Sequence, residues 1–314
     1  MTDRRAYMGR RRVRVPPSVM RVGVRRLGRR CLNPAKPWAV QRARLEQLDK
    51  TVLMPRGTTV TERTIGEVRV HVVAARGQES RRTVIHFHGG GYCVGSARTA
   101  ISWAAHLSAQ AHCHVVLPEY RLAPEHPYPA ALEDARAVMT GLCGEAKPSS
   151  LVLSGDSAGG GLALALLLSL RDDGDTLPAG AVLLSPWLDL GRDRRAVADL
   201  VRRDVLLTPA WLEACARAYA DPPAWADGMV SPLRAAHGGL PPLLIQAGTD
   251  ELLAPDAEEL AASAVAAGVD VTYTRWPGMW HDFMLQPGLL AAADSALAQA
   301  SWFVTKMTAG PEGR

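Results

Sequence analysis

Cysteine is scarce in this chain and poorly spaced for any linked role. The five residues, Cys31, Cys93, Cys113, Cys143 and Cys215, are odd in number and never form a CxxC pair. That argues against a disulfide framework and a cysteine-built zinc site, and fits a reducing compartment. Long apolar runs are missing too. None approaches the roughly 20 residues of a membrane span, and the N-terminus lacks the apolar stretch of about 7 to 15 residues that marks a secretory signal. The expected location is therefore cytoplasmic, with an arginine-rich transit peptide as the alternative. Acidic residues are nearly absent from the first thirty positions, where eleven arginines face one aspartate, a balance of +10. The formal charge of +5 over 314 residues leaves −5 for the rest. Basic character thus belongs to one segment and gives no warrant for a nucleic-acid-binding fold.

What is present is an ordinary globular composition, 47% hydrophobic and 21% charged, long enough to bury a full core. From Thr58 onward, short apolar runs alternate with helical patterns. Residues 58–64 and 68–74, split by Gly66, read as a hairpin. Strand-like runs follow at 83–88, 114–118, 151–154, 181–185, 243–247 and 271–276. Helical patterns occupy 97–110, 130–142, 158–170, 255–267 and 289–306. Such alternation predicts the α/β class, a mostly parallel sheet with helices on both faces. Two segments break it, and both are read as parts of a helical cap. The expected division is an N-terminal cap segment at 1–55, core at 56–190, a cap insertion at 191–238, and core again at 239–314. Within the first segment, Met20, Val24, Leu27 and Cys31 recur at helical spacing, with Arg21, Arg25 and Arg29 on another stripe.

The chemistry centres on Gly155-Asp156-Ser157-Ala158-Gly159, between an apolar strand and an apolar helix. This G-x-S-x-G pattern is that of a nucleophile elbow, in which bare neighbours allow a sharp turn that pushes the serine hydroxyl out. A phosphate-binding loop is the competing reading, and it fails because no Gly-Lys-Ser/Thr follows. A serine needs a base, and the base needs an orienting acid. If the chain order is Ser, acid, His, only His237 and His281 can supply the base. His281 lies just after the last strand and is preferred; His237 reads as a solvated loop residue. For the acid, Asp250 directly follows a strong apolar strand and is preferred over Glu251, Asp256 and Asp189. His88-Gly89-Gly90-Gly91 follows the strand TVIHF. Consecutive glycines there can aim backbone N–H groups at an oxyanion, with Ala158 N–H as a further donor.

Taken in order, HFHGGGYCVGS, YRLAPEHPYPAALEDA, LSGDSAGGGLALAL, LSPWLDL, GTDELL and PGMWHDF resemble the hormone-sensitive-lipase family of α/β-hydrolases, the bacterial type IV esterases. The resemblance runs from about Val68 to the C-terminus. It implies an eight-stranded core, a cap built from the N-terminus and a middle insertion, and a serine esterase that needs neither cofactor nor metal. It also implies Ser157 as nucleophile, Asp250 as acid, His281 as base, and an oxyanion hole from Gly89, Gly90 and Gly91, foremost the last two, with Ala158. Many members carry Asp-Pro-Leu at the acid. This chain has Asp250-Glu251-Leu252, which resembles a branch of small acetyl esterases and lactone hydrolases.

The expected partner is a small-molecule ester of short to medium acyl length. Lactone hydrolysis and amide or N-acetyl cleavage are the alternatives that the same triad permits. A receptor branch of the family has lost the histidine, which is retained here as His281. The bulky Trp280 is expected to narrow the pocket, and Trp187, Trp211, Trp225 and Trp276 are further candidates to line it. A homodimer and a weak contact of the arginine-rich N-terminus with a membrane or lipid surface complete the expectations.

Overall fold

Runs rich in valine, isoleucine and leucine become strands because their side chains pack on both faces of a pleated sheet. The computed structural model describes residues 14–48, 54–75 and 80–309. Part of the expected N-terminal cap segment, including the arginines at 4, 5, 10, 11 and 12, lies outside the described residues. Among the described residues there are eight strands, β1 (Thr59–Ile65), β2 (Val68–Ala74), β3 (Thr83–Phe87), β4 (His114–Pro118), β5 (Leu151–Asp156), β6 (Gly180–Leu184), β7 (Leu243–Gly248) and β8 (Val271–Trp276). They form one sheet in the order β1-β2-β4-β3-β5-β6-β7-β8. β1 and β2 are the predicted hairpin, joined through Gly66 and Glu67, both at positive φ, as a two-residue turn of right-handed strands requires. β2 is antiparallel to β4, and every later pairing is parallel.

Alternation along each strand divides the core in two. Val84, Val152 and Val182 enter one cluster with α3 (Ile101–Ala111) and α9 (Ala291–Met307). Their chain neighbours Ile85, Leu153 and Leu183 enter the other, on the side of α4 (Ala130–Cys143), α5 (Ala158–Asp172) and α8 (Ala254–Ala266). α5 is buried along almost its whole length, Ala158 through Leu168, which its all-round apolar sequence dictates. Each fully buried leucine contributes about 1.5–3 kcal/mol of transfer free energy.

The two segments that break the alternation are helical and touch each other. α1 (Pro17–Cys31) and α2 (Trp38–Leu48) precede the sheet, while α6 (Ala198–Arg203) and α7 (Pro209–Tyr219) lie between β6 and β7. A side chain at Gly28 would collide with Leu206, so α1 lies close against the insertion. The Trp211 indole N–H donates to Gln41 Oε1 at 2.9 Å, joining α7 to α2. On α1 the stripe Met20, Val24 and Cys31 turns inward as its spacing predicts, but Leu27 is 48% exposed. Arg21 donates to the carbonyls of Arg203 and Gly278, so it is a tether and not part of a solvated stripe.

Candidate active site

Because β3, β5, β6, β7 and β8 run parallel, the loops leaving their C-terminal ends gather along one edge of the sheet. Those loops carry His88 to Gly91, Ser157, Asp250 with Glu251, and His281.

Ser157 stands at φ 53° and ψ −121°, between the last residue of β5 and the first of α5. Non-glycine residues are rarely found at positive φ. The strain is held by three backbone hydrogen bonds: Ser157 N–H donates to Leu184 O at 2.9 Å, and Ser157 O accepts from Trp187 N at 2.9 Å and Gly161 N at 3.2 Å. The flanking glycines are a matter of room. A Cβ on Gly155 would strike the Gly159 carbonyl, and one on Gly159 would strike Phe87 O. Ser157 sits at the N-terminal, positive end of α5.

The glycine loop after β3 divides its amides. Gly89 N–H donates to Asp156 Oδ2 at 2.9 Å. Its inclusion among the oxyanion donors is therefore corrected: that proton is already spent on a buried carboxylate, which binds an amide more strongly than a neutral acceptor would. Gly90 and Gly91 have φ of +119° and +61°, which only glycine adopts without strain. A side chain on Gly91 would meet Cys215 and Trp211, and one on Gly90 would meet Val94 O. Behind the loop, Asp156 Oδ1 lies 3.0 Å from His86 Nε2, whose Nδ1 is 3.1 Å from Ser154 Oγ. Tyr120 Oη donates to His88 O at 2.7 Å and stacks on the His88 ring, with centroids 4.3 Å apart. Burial pushes the His88 imidazole below its usual range, so it packs as a neutral ring.

His281 follows β8 and is buried. Its Nδ1 lies 3.7 Å from Glu251 Oε2, and its Nε2 lies 3.1 Å from Asp282 Oδ2. Burial by itself lowers the imidazole pKa. The Asp282 and Glu251 carboxylates more than offset that and hold it well above its ordinary value. Glu251 is fully buried and accepts from Ser185 Oγ at 2.7 Å. Ser185 also accepts from Asp282 N–H at 3.3 Å, so one hydroxyl joins Glu251 to the histidine loop. A 3.7 Å separation is too long for a hydrogen bond, and Nδ1 has no other hydrogen-bond partner among the described residues.

The expectation of Asp250 as the acid is corrected by this geometry. Asp250 Oδ2 is 2.9 Å from Arg21 Nη1, and its Oδ1 faces Arg203 at 3.4 Å. Two guanidiniums of the helical segments take its charge, while its neighbour Glu251 turns inward toward His281. The remaining candidates have structural duties. Asp256 pairs with Arg194 through both oxygens at 2.7 Å, and Asp189 accepts from Arg234. His237 is buried, not solvated; it bonds Pro232 O at 3.0 Å and Ser263 Oγ at 2.9 Å.

The tryptophans separate by environment. Trp280 is fully buried in the α3 and α9 core cluster. Trp211 abuts Gly91. Trp187 lies 6.2 Å from Tyr92, itself stacked at 3.8 Å on Tyr219. Trp187 and Trp225 line a cavity of about 210 Å³ in the insertion, whose walls do not include Ser157 or His281. Among the described residues no group of three or more His, Cys, Asp or Glu side chains is arranged to hold a metal ion.

Sequence reasoning missed Asp156, His86, Ser185 and Arg21 as members or braces of the site. Asp156 carried the one available signal, as the variable residue inside the elbow motif.

A family model described as alpha/beta hydrolase fold matches residues 84–285. An acetyl-hydrolase of Streptomyces hygroscopicus is 37% identical over 256 residues, covering 81% of this chain and 84% of that protein. An esterase of Acinetobacter venetianus is 35% identical over 266 residues, covering 84% and 87%. Among solved structures, an esterase from the bacterial hormone-sensitive lipase family superposes with a TM-score of 0.88 at 32% identity, covering 95% of this chain and 100% of that one.

Proposed function

Since the chain belongs to the hormone-sensitive-lipase family of α/β-hydrolases and is a carboxylic ester hydrolase, we propose that it is a serine esterase in which Ser157 is the nucleophile, His281 the base and Glu251 the orienting acid. The observation that carries this reading is that parallel strands bring the loops of Ser157, Glu251 and His281 to one edge of the sheet, with Glu251 Oε2 3.7 Å from His281 Nδ1; the reading assigns proton transfer to Nε2. Ser157 attacks the ester carbonyl as His281 Nε2 takes its proton. The oxyanion is held by the N–H groups of Gly90, Gly91 and Ala158, each worth about 10² to 10³ in turnover. His281 then protonates the leaving alcohol, and water repeats the cycle on the acyl-serine.

Short acyl groups are the favoured substrates. Trp211 and Cys215 close the space beside Gly91, and its chain neighbour Tyr92 stacks on Tyr219, which supports a short acyl pocket. An acetyl-hydrolase among the relatives supports the same preference. A fluorophosphonate probe tests the assignment: it should add once, to the peptide containing Ser157, and labelling of any other residue would refute it.

The domain division is proposed in the same sense, with α1, α2, α6 and α7 forming the cap. α1 exposes Val19, Val22 and Leu27 among Arg25, Arg26, Arg29 and Arg30 and carries no acidic residue, which supports a weak contact with anionic lipid. Co-sedimentation with anionic vesicles, reduced by Arg26→Glu with Arg30→Glu, is the expected result; equal binding by the variant would refute it. For self-association, the open edge strand β8 and the exposed Val265 on α8 are the supporting surface. Light scattering of the purified protein gives the mass that decides it.

A further inference from the structure

The residue after the base departs from what the triad needs. Nε2 of His281 is the atom that receives the serine proton, yet a carboxylate oxygen of Asp282 lies 3.1 Å from it. Asp282 reaches that position because its own backbone is left-handed, φ 57° and ψ 26°, which returns the side chain onto the preceding ring. Aspartate and asparagine tolerate this conformation better than other non-glycine residues. The placement is braced by Ser185, which accepts Asp282 N–H, and the second carboxylate oxygen, Oδ1, is buried without a hydrogen-bond partner.

We propose that Asp282 is a positioning residue that holds the imidazolium form of His281 through Nε2–H and so sets the pH at which the site gains its base. This rests on the Ser157–His281 reading above. In the resting site at low pH, His281 carries protons on both nitrogens, and the Nε2–H faces Asp282. Loss of that proton to solvent frees the Nε2 lone pair. The Ser157 hydroxyl proton then moves to Nε2 as its oxygen bonds the carbonyl carbon and the carbonyl electron pair passes to the oxyanion. The same proton leaves with the alcohol when the acyl bond breaks. Asp282 steadies the cation between these two transfers, and it also delays formation of the free base.

The carboxylates that act on the ring favour its protonated form. Glu251, from the loop after β7, faces Nδ1, and Asp282 faces Nε2. Asp204, after α6, is buried and hydrogen-bonded by the amides of Leu206, Leu207 and Leu252, and its charge and that of His281 attract. Asp156, at the end of β5, faces Asp282 and repels it. Burial and that repulsion push the Asp282 carboxyl up to about 7, against the attraction of His281. The two residues therefore titrate as a pair.

The test is the pH dependence of kcat/KM for p-nitrophenyl acetate in the wild type, Asp282→Asn, Asp282→Gly and Ser157→Ala. Asparagine and glycine both accept the left-handed backbone, so either variant serves if the other does not fold. The expected result is an acid limb lowered by about one pH unit in both Asp282 variants, the size of effect that one adjacent charge has on an imidazole, so that activity relative to the plateau rises about tenfold well below the limb. An unmoved limb, whether or not kcat falls, overturns the proposal, because a purely structural role would lower activity or melting temperature without displacing the limb. So does loss of activity at every pH in both folded variants. Hydrolysis that survives Ser157→Ala would instead overturn the underlying serine mechanism.

Discussion

Asp156 Oδ2 accepts the amide of Gly89 at 2.9 Å, tying the residue before Ser157 to the first glycine of the loop after β3. The two lie 67 positions apart in sequence, and this bond fixes the spacing between Ser157 and the proposed oxyanion donors. Replacing Asp156 by alanine leaves Gly89 N–H and His86 without their acceptor. Each buried orphan costs about 1–3 kcal/mol. Asparagine can still accept from Gly89 and reach His86. Thermal melts and kcat should therefore show a marked loss in Asp156→Ala and substantial recovery in Asp156→Asn; equal stability and turnover in the alanine variant would contradict the brace.

The adjacent carboxylates Asp250 and Glu251 should separate cleanly. Glu251→Gln removes the charge at His281 Nδ1 and should lower kcat by about 10³- to 10⁴-fold with KM little changed. Asp250→Asn should cost less than about tenfold in kcat. Its effect should appear as a stability loss of about 1 kcal/mol from the weakened contacts with Arg21 and Arg203. Steady-state kinetics and denaturant melts of both variants check the contrast, and the reverse ranking would restore Asp250 as the acid.

The direction of the His281 shift makes a prediction for the wild-type enzyme. A base must be neutral, and the folded site holds His281 protonated above its ordinary pKa of 6.5. kcat/KM should therefore rise with pH through an apparent pKa above 6.5, and activity should be lost as pH falls below it. A profile already flat at pH 6 would show that the two carboxylates do not act on the ring as the geometry requires.

Much of this was legible in the chain, and what was not has a common cause. The strands appear close to where apolar runs end in turn residues, as β5 and β7 show, because burial on both faces leaves a local signature. The elbow and the glycine loop were legible because steric room at Gly155, Gly159 and Gly90 demands glycine and nothing else. The orientation of Asp250 and Glu251 was not. Both sit in one short loop after β7, and what turns them apart is Arg21, 229 positions away on α1. The use of the Gly89 amide was hidden for the same reason, as its acceptor belongs to another strand. His237 reads as a loop residue by its neighbours, yet Ser263 and Pro232 enclose it.

Arg42 should couple the N-terminal helices to the site. From α2 it donates to Cys93 O and Ala123 O, both at 2.8 Å, and pairs with Glu125. Cys93 lies two residues beyond Gly91. Hydrogen bonds from a charged donor are worth about 1.5–3 kcal/mol, so Arg42→Ala should lower the melting temperature and reduce kcat/KM through a loosened glycine loop. Lysine, which cannot span the three acceptors, should recover little of either. Full activity in Arg42→Ala would uncouple α2 from the loop.

Whether Ser157 carries the ester chemistry is decided by hydrolysis of p-nitrophenyl esters from acetate to palmitate, measured for the wild type and for folded Ser157→Ala. Turnover should be greatest for the shortest acyl chains and fall in Ser157→Ala by about 10⁶-fold, the scale of loss when a serine nucleophile is removed. Turnover persisting in Ser157→Ala within about tenfold of the wild type would place the nucleophile elsewhere in the chain.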